Sequence, residues 1–182
     1  IRDSHMAYGW HPEQVVANAL FADGAAAVVA SVNPSPTHQT LALRRSGSMV
    51  IPNSSDLMHW GIGDHGFAMG LSPLVPETVG AALLPWLRDW LKEQAIDLEA
   101  VTSWAVHPGG PKILSTCAEV LSLDPNRLLD SRAVLQDHGN MSSATILFIL
   151  ERLRRRERSG PCLALAFGPG LSAEVALFDR KY

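Results

Sequence analysis

His107 closes an apolar run, Trp104-Ala105-Val106, and is followed by Pro108-Gly109-Gly110-Pro111 and then Lys112-Ile113-Leu114. An imidazole at the end of a strand can exchange a proton or donate a hydrogen bond to a reacting group. Gly109 and Gly110 would let the main chain come close to a ligand. Pro111 suits the first turn of a helix, whose unpaired N–H groups would face the same spot. Strand ends that lead into helix starts are where α/β folds bind ligands. Taken alone, a lone histidine such as His107 is more often a turn residue without chemistry.

Asn140 is the second residue that could do chemistry. It lies in Gly139-Asn140-Met141-Ser142-Ser143, directly before the apolar run of residues 142–150, "SSATILFIL". A helix cap would explain an asparagine here. An asparagine at the head of an interior helix points inward, however, and a buried amide costs free energy unless it is hydrogen-bonded. A site that binds an oxyanion would satisfy its N–H. The third stretch is "AFGPGL", Ala166 to Leu171, which by itself reads as a hairpin turn.

Other signals carry less. Cys117 and Cys162 are too few for a disulfide framework or a zinc site. Cys117 falls mid-helix among apolar neighbours and reads as core packing. His5, His11, His38, His59 and His65 show no metal-ligand spacing. "GIGDHG", Gly61 to Gly66, has the glycine spacing of a dinucleotide loop but opens no clear helix, with Pro73 close behind. "NSS" at Asn53 and "NMS" at Asn140 match glycosylation sequons in a chain with no sign of secretion. The arginine-rich run after Leu150 reads as a solvated helix end.

The elements that must position these residues follow from periodicity and punctuation. Residues 15–32 read as a helix end, a loop at Ala22-Asp23-Gly24, and a strand over Ala25–Val32. Leu41 to Ile51 reads as one or two short strands around Gly47, and residues 52–66 as irregular chain. A strand is expected from Phe67 to Leu71. Val79, Leu83, Trp86 and Trp90 share one face of a helix over residues 77–94, with a kink at Pro85. "AVTSWAVH" reads as a buried strand. The next helix, from Pro111, turns Ile113, Leu114, Cys117, Val120 and Leu121 inward. Asp124-Pro125 opens a short helix, and another runs from Ser131 to His138, closed by Gly139. Ser142 or Ser143 caps the apolar helix, and Gly160 ends it. Strands over residues 161–168 and 172–178 finish the chain.

Alternating strands and helices give an α/β fold with a mixed sheet packed with helices. The helix from Ser142 has no polar stripe beyond its first turn, so it is expected to be a central helix buried on all sides. The chain offers about one sheet's worth of strands, so the second cover for that helix would come from elsewhere.

Composition sets the outer bounds. The 182 residues are 47% hydrophobic and 18% charged, the balance of an ordinary globular unit. A net charge of −3 gives no electrostatic case for nucleic acid or an anionic membrane. There is no apolar run of membrane-spanning length and no secretory signal, so a cytoplasmic location is expected. Residues 1–6 are a possible tag or native leader, and residues 7–182 are expected to form the domain.

Together, "NALFADGAAAVV", "WAVHPGGPKIL", "LLDSRAVLQDHGNMSSATILFIL" and "LAFGPGLSAEVALF" resemble the C-terminal half of a type III polyketide synthase. That is the chalcone and stilbene synthase family of the thiolase superfamily. The pieces come in the family's order and span nearly the whole chain. The resemblance implies a thiolase-like half and a Cys-His-Asn active site, with His107 and Asn140 as the catalytic histidine and asparagine. The family's nucleophilic cysteine belongs to the N-terminal half, and neither cysteine here replaces it. The implied reaction is decarboxylative Claisen condensation of malonyl-CoA onto an acyl starter, with coenzyme A thioesters as substrates, no bound cofactor and no metal. Gly109, Gly110 and Lys112 match the turn along the pantetheine arm. Gly168, Pro169 and Gly170 match the loop bordering the cavity, Ser142 its floor, and Phe67 the aromatic gatekeeper. The implied partners are malonyl-CoA, an acyl-CoA starter, the N-terminal half and a second copy in a homodimer. A ketoacyl-carrier-protein synthase and a non-catalytic thiolase-like assembly module are the alternatives. By this resemblance the chain alone is inactive.

Overall fold

The computed structural model describes residues 10, 12–33, 40–64, 66–156 and 159–181. Residues 1–6, with His5, and also His11, His38 and His65, lie outside the described residues. The elements are helix α1 (Pro12–Leu20), strands β1 (Thr40–Val50), β2 (Met58–Gly63) and β3 (Gly66–Leu71), and helix α2 (Val75–Glu93). Strand β4 (Ser103–Val106) and helices α3 (Pro111–Val120), α4 (Leu129–His138) and α5 (Ser143–Arg154) follow, then β5 (Cys162–Gly168) and β6 (Ser172–Lys181).

Four strands form one sheet in the order β1-β6-β5-β4. β1 and β5 run antiparallel to β6, and β4 runs parallel to β5, with Val106 opposite Leu165. The parallel pair requires a crossover, and α3, α4 and α5 supply it. Side-chain size then sorts the two faces. Trp104, Val106, Leu163 and Leu165 point to one face and pack with Val79, Leu83 and Leu87 of α2 and Leu114 of α3. Ala105, Cys162 and Ala164 point to the other, where small side chains let Ile149 and Leu153 of α5 and Val134 of α4 come close. The result is a mixed α/β sheet between two helical layers. β2 and β3 form a separate hairpin, and α1 packs on it through Ala17, Phe21 and Met69.

Several expectations change. No strand forms over Ala25–Val32; Val29 and Val32 are each 96% exposed. A strand needs a neighbour for its N–H and C=O groups, and no described strand lies alongside. β1 runs unbroken through Gly47, which pairs with Val175 of β6; the Trp90 ring occupies the space where a side chain would stand. The stretch expected to be irregular contains a 3₁₀ turn at Ser55–Leu57 and all of β2, paired from Met58↔Leu71 to Gly63↔Gly66. α2 runs through Pro85 as a single element.

The apolar helix is covered in part. α5 buries one stripe, Thr145, Ile149 and Leu153, while Ile146, Phe148 and Leu150 are only half-buried. The described residues of this chain therefore cover one side of it, in keeping with a helix whose second cover comes from elsewhere. Neither serine caps α5 with its side chain; Thr145 reaches back instead, its Oγ1 accepting from the Met141 N–H at 2.8 Å. Among the described residues, no helix is long and apolar enough to cross a membrane.

Candidate active site

β4 and β5 are parallel, so their carboxyl ends meet at one end of the sheet. His107 follows β4 there and Gly168 ends β5. The His107 N–H donates to the Leu165 carbonyl at 2.8 Å, and the Gly109 N–H turns back to the His107 carbonyl at 3.0 Å. That three-residue turn folds the chain sharply away from the sheet. Gly110 then precedes Pro111, the first residue of α3.

Asn140 reaches the same end from α4. Gly139 closes that helix at φ 72°, a conformation that favours glycine, and a side chain there would meet Ala22 at 2.8 Å. The Asn140 backbone is stitched to the end of α1 and the chain just past it: its N–H donates to the Leu20 carbonyl at 2.9 Å and its carbonyl accepts from the Ala22 N–H at 2.8 Å. Its side chain is held as firmly. Oδ1 accepts from the Ser142 N–H at 2.9 Å, and Nδ2 donates to the Gly109 carbonyl at 3.4 Å. Ser142 takes φ 56° and ψ −135°. Such a backbone costs roughly 1–3 kcal/mol in a non-glycine residue and turns the Ser142 N–H onto the asparagine.

His107 and Asn140 border one cavity of about 680 Å³. Its walls are largely apolar, including Leu20, Phe21, Trp60, Met69, Leu71 and Phe167. Burial pushes the His107 imidazole down to about 4, so at neutral pH the ring is uncharged and carries one N–H donor. The arrangement brings an imidazole and a carboxamide to one apolar-walled hollow, which suits stabilisation of an oxygen that gains negative charge. Among the described residues, no group of three or more histidine, cysteine or acidic side chains could hold a metal ion.

The family model of the chalcone and stilbene synthases, C-terminal domain, matches residues 42–180. The chain belongs to the chalcone and stilbene synthase family. It is 31% identical over 174 residues to the alpha-pyrone synthesis polyketide synthase-like Pks18 of Mycobacterium tuberculosis, covering 91% of this chain and 44% of that protein. Its fold matches PKS-I from the brown alga Ectocarpus siliculosus with a TM-score of 0.81 and 26% identity, over 94% of this chain and 48% of that one. It also matches 1,3,6,8-tetrahydroxynaphthalene synthase, a bacterial type III polyketide synthase of Streptomyces coelicolor A3(2). There the TM-score is 0.73 and the identity 33%, over 79% of this chain and 42% of that one. The chain thus spans less than half the length of these chalcone and stilbene synthase relatives and carries the family's C-terminal domain.

Within this C-terminal chalcone and stilbene synthase domain, Gly109, Gly110, Lys112, Ser142, Gly168 and Pro169 border the same cavity as His107 and Asn140. Phe67 and Gly170 do not. Phe67 sits near the tip of the hairpin with its ring edge against Trp60, centroids 6.2 Å apart, while Met69 and Trp60 form the wall. Two residues further along β3, Met69 on the same strand face does line the cavity. Gly170 takes φ 134° in the turn between β5 and β6, where it serves the backbone.

Sequence reading missed Ser54. It is 2% exposed, accepts from the Leu171 N–H at 2.7 Å and donates to the Ile51 carbonyl at 2.6 Å, anchoring the loop that brings Gly168 and Pro169 to the cavity. Its partner is 117 residues away, so no local pattern marks it. Cys117 is buried and its thiol is pushed up to about 12 by that burial, which keeps it protonated and unreactive; Cys162 is buried too.

Proposed function

We propose that this chain supplies the oxyanion-stabilising pair, His107 and Asn140, to the condensation site of a type III polyketide synthase. The nucleophilic cysteine is carried by an N-terminal half like that of its longer relatives. The acyl starter moves from coenzyme A to that cysteine as a thioester. Malonyl-CoA then enters; its bond from the α-carbon to the carboxylate breaks, carbon dioxide leaves, and the electron pair passes to the thioester oxygen as an enolate. The enolate carbon attacks the starter thioester, and the cysteine leaves as thiolate. In both steps negative charge gathers on an oxygen that one N–H of neutral His107 and one of Asn140 can meet. Losing such a donor costs on the order of 3 kcal/mol of transition-state stabilisation.

One observation carries this reading: the Asn140 amide is pinned through Oδ1 to Ser142, so its donor end faces the His107 turn within the apolar cavity. A purely structural asparagine needs neither that cavity nor the histidine beside it. Coenzyme A thioesters as substrates, a homodimer, a cytoplasmic location and inactivity of this chain alone belong to the same reading.

The test is to combine the chain with its N-terminal half and offer malonyl-CoA and an acyl-CoA starter. Mass spectrometry should show extended polyketide products that need both pieces. Stable assembly without condensation would favour a binding or assembly module, and a requirement for carrier-protein-bound malonyl groups would favour a ketoacyl-carrier-protein synthase.

A further inference from the structure

Successive N–H groups along a strand point to opposite sides. At the end of β4, the His107 N–H goes to Leu165 of β5. The Val106 N–H faces the other way, off the edge of the sheet, where no strand among the described residues pairs with β4. It donates instead to the Ser131 Oγ at 3.1 Å. Ser131 is 0% exposed and lies near the start of α4. Serine is not a favoured residue inside helices, and this one does not cap α4, whose N-cap is Leu128. What its hydroxyl does is hold the strand.

The same helix delivers Asn140. α4 ends at His138, and Gly139 and Asn140 follow directly. The helix is itself clamped: the Asp130 carboxylate, 3% exposed, pairs with Arg152 of α5 at 3.4 Å and with Arg156, just past the end of α5, at 2.8 Å. One rigid rod therefore grips the His107 strand at its start and presents the asparagine at its end.

We propose that Ser131 is a positioning residue, whose hydroxyl fixes the end of β4 against α4 and so sets the placement of His107 relative to Asn140. This rests on the reading of those two residues as an oxyanion pair.

Threonine and valine have nearly the same shape and differ in the hydroxyl, so Ser131→Thr and Ser131→Val separate hydrogen bonding from packing. Both are made in the enzyme assembled with its N-terminal half, and malonyl-CoA decarboxylation is measured. Ser131→Val should lower kcat roughly tenfold to a hundredfold with KM nearly unchanged, and Ser131→Thr should stay within about threefold of the unsubstituted enzyme. The His107 ring resonances in a histidine-labelled sample should move in the valine variant and return in the threonine variant. Equal activity in the two variants overturns the proposal, as does equal loss in both, a change confined to KM, or a valine variant that alone fails to fold. If the unsubstituted assembly releases no carbon dioxide, the functional reading falls. The His107 resonances then decide the Ser131 proposal by themselves: displaced in valine and restored in threonine supports it, and unmoved overturns it.

Discussion

The Asn140 Nδ2 donates to the carbonyl of Gly109, 3.4 Å away and two residues past His107. The opposite end of the same amide accepts from Ser142 at 2.9 Å. A flipped amide would set oxygen against oxygen at Gly109 and nitrogen against an N–H at Ser142, so the network fixes the orientation. One N–H of Asn140 serves the turn; the proposed function assigns the other to an oxygen in the cavity.

Asn140→Asp tests that polarity. Aspartate keeps the shape and replaces the donor with an acceptor of negative charge. In the assembled enzyme it should lower malonyl-CoA decarboxylation by about 100- to 1,000-fold, while malonyl-CoA binding measured by calorimetry changes far less. A loss of binding equal to the loss of rate would make Asn140 a substrate-binding group only.

The cavity-side turn can be probed at Gly109. A side chain added there would meet only Ile113, at an ordinary 3.7 Å, and its backbone is not left-handed. Gly109→Ala should leave stability within about 0.5 kcal/mol of the original. If the main chain lies along a coenzyme A thioester, KM for malonyl-CoA should rise clearly. An unchanged KM would free Gly109 from that role.

Burial of His107 makes stability depend on pH. Its imidazole is held at about 4 against an ordinary 6.5. Between those values the unfolded chain binds a proton that the folded chain does not, so stability falls as pH is lowered through that window and is fully present above it. The slope from this group should be at most about 1.4 kcal/mol per pH unit. Denaturant midpoints from pH 4 to 7 should show it, and His107→Gln should flatten it.

Asp130 predicts a loss of stability. Asp130→Ala would remove the buried acceptor shared by Arg152 and Arg156 and loosen α4 from α5. The expected cost is about 1–3 kcal/mol, since both arginines keep partial access to water. Urea midpoints measure it; an unchanged midpoint would show that the clamp contributes nothing.

The sequence disclosed the site better than its supports. His107 and Asn140 were legible because each sits where glycine punctuation joins a strand or helix to the next element, and that is a local pattern. Helices α2 and α3 are legible from their apolar spacing, and α4 from the glycine that closes it. Ser131 and Ser54 were not, because each serves a backbone N–H that is 25 and 117 residues away, respectively. β2 was hidden by its glycines and by a pairing partner across the hairpin. Ala25–Val32 was read as a strand from composition, although a strand also needs a neighbour. Phe67 rests on the family resemblance of "GDHGF" alone, whereas Trp60 and Met69 line the cavity through a pairing across the hairpin that no local pattern marks.

The central claim is that His107 and Asn140 act on one oxygen as a unit. The direct measurement is carbon dioxide release from malonyl-CoA by the assembled enzyme, with His107→Ala, Asn140→Ala and the double variant compared. The account predicts a loss of about 100-fold or more for each single variant and a double variant little worse than either. Full activity in either single variant, or losses that multiply as those of independent sites do, would contradict it.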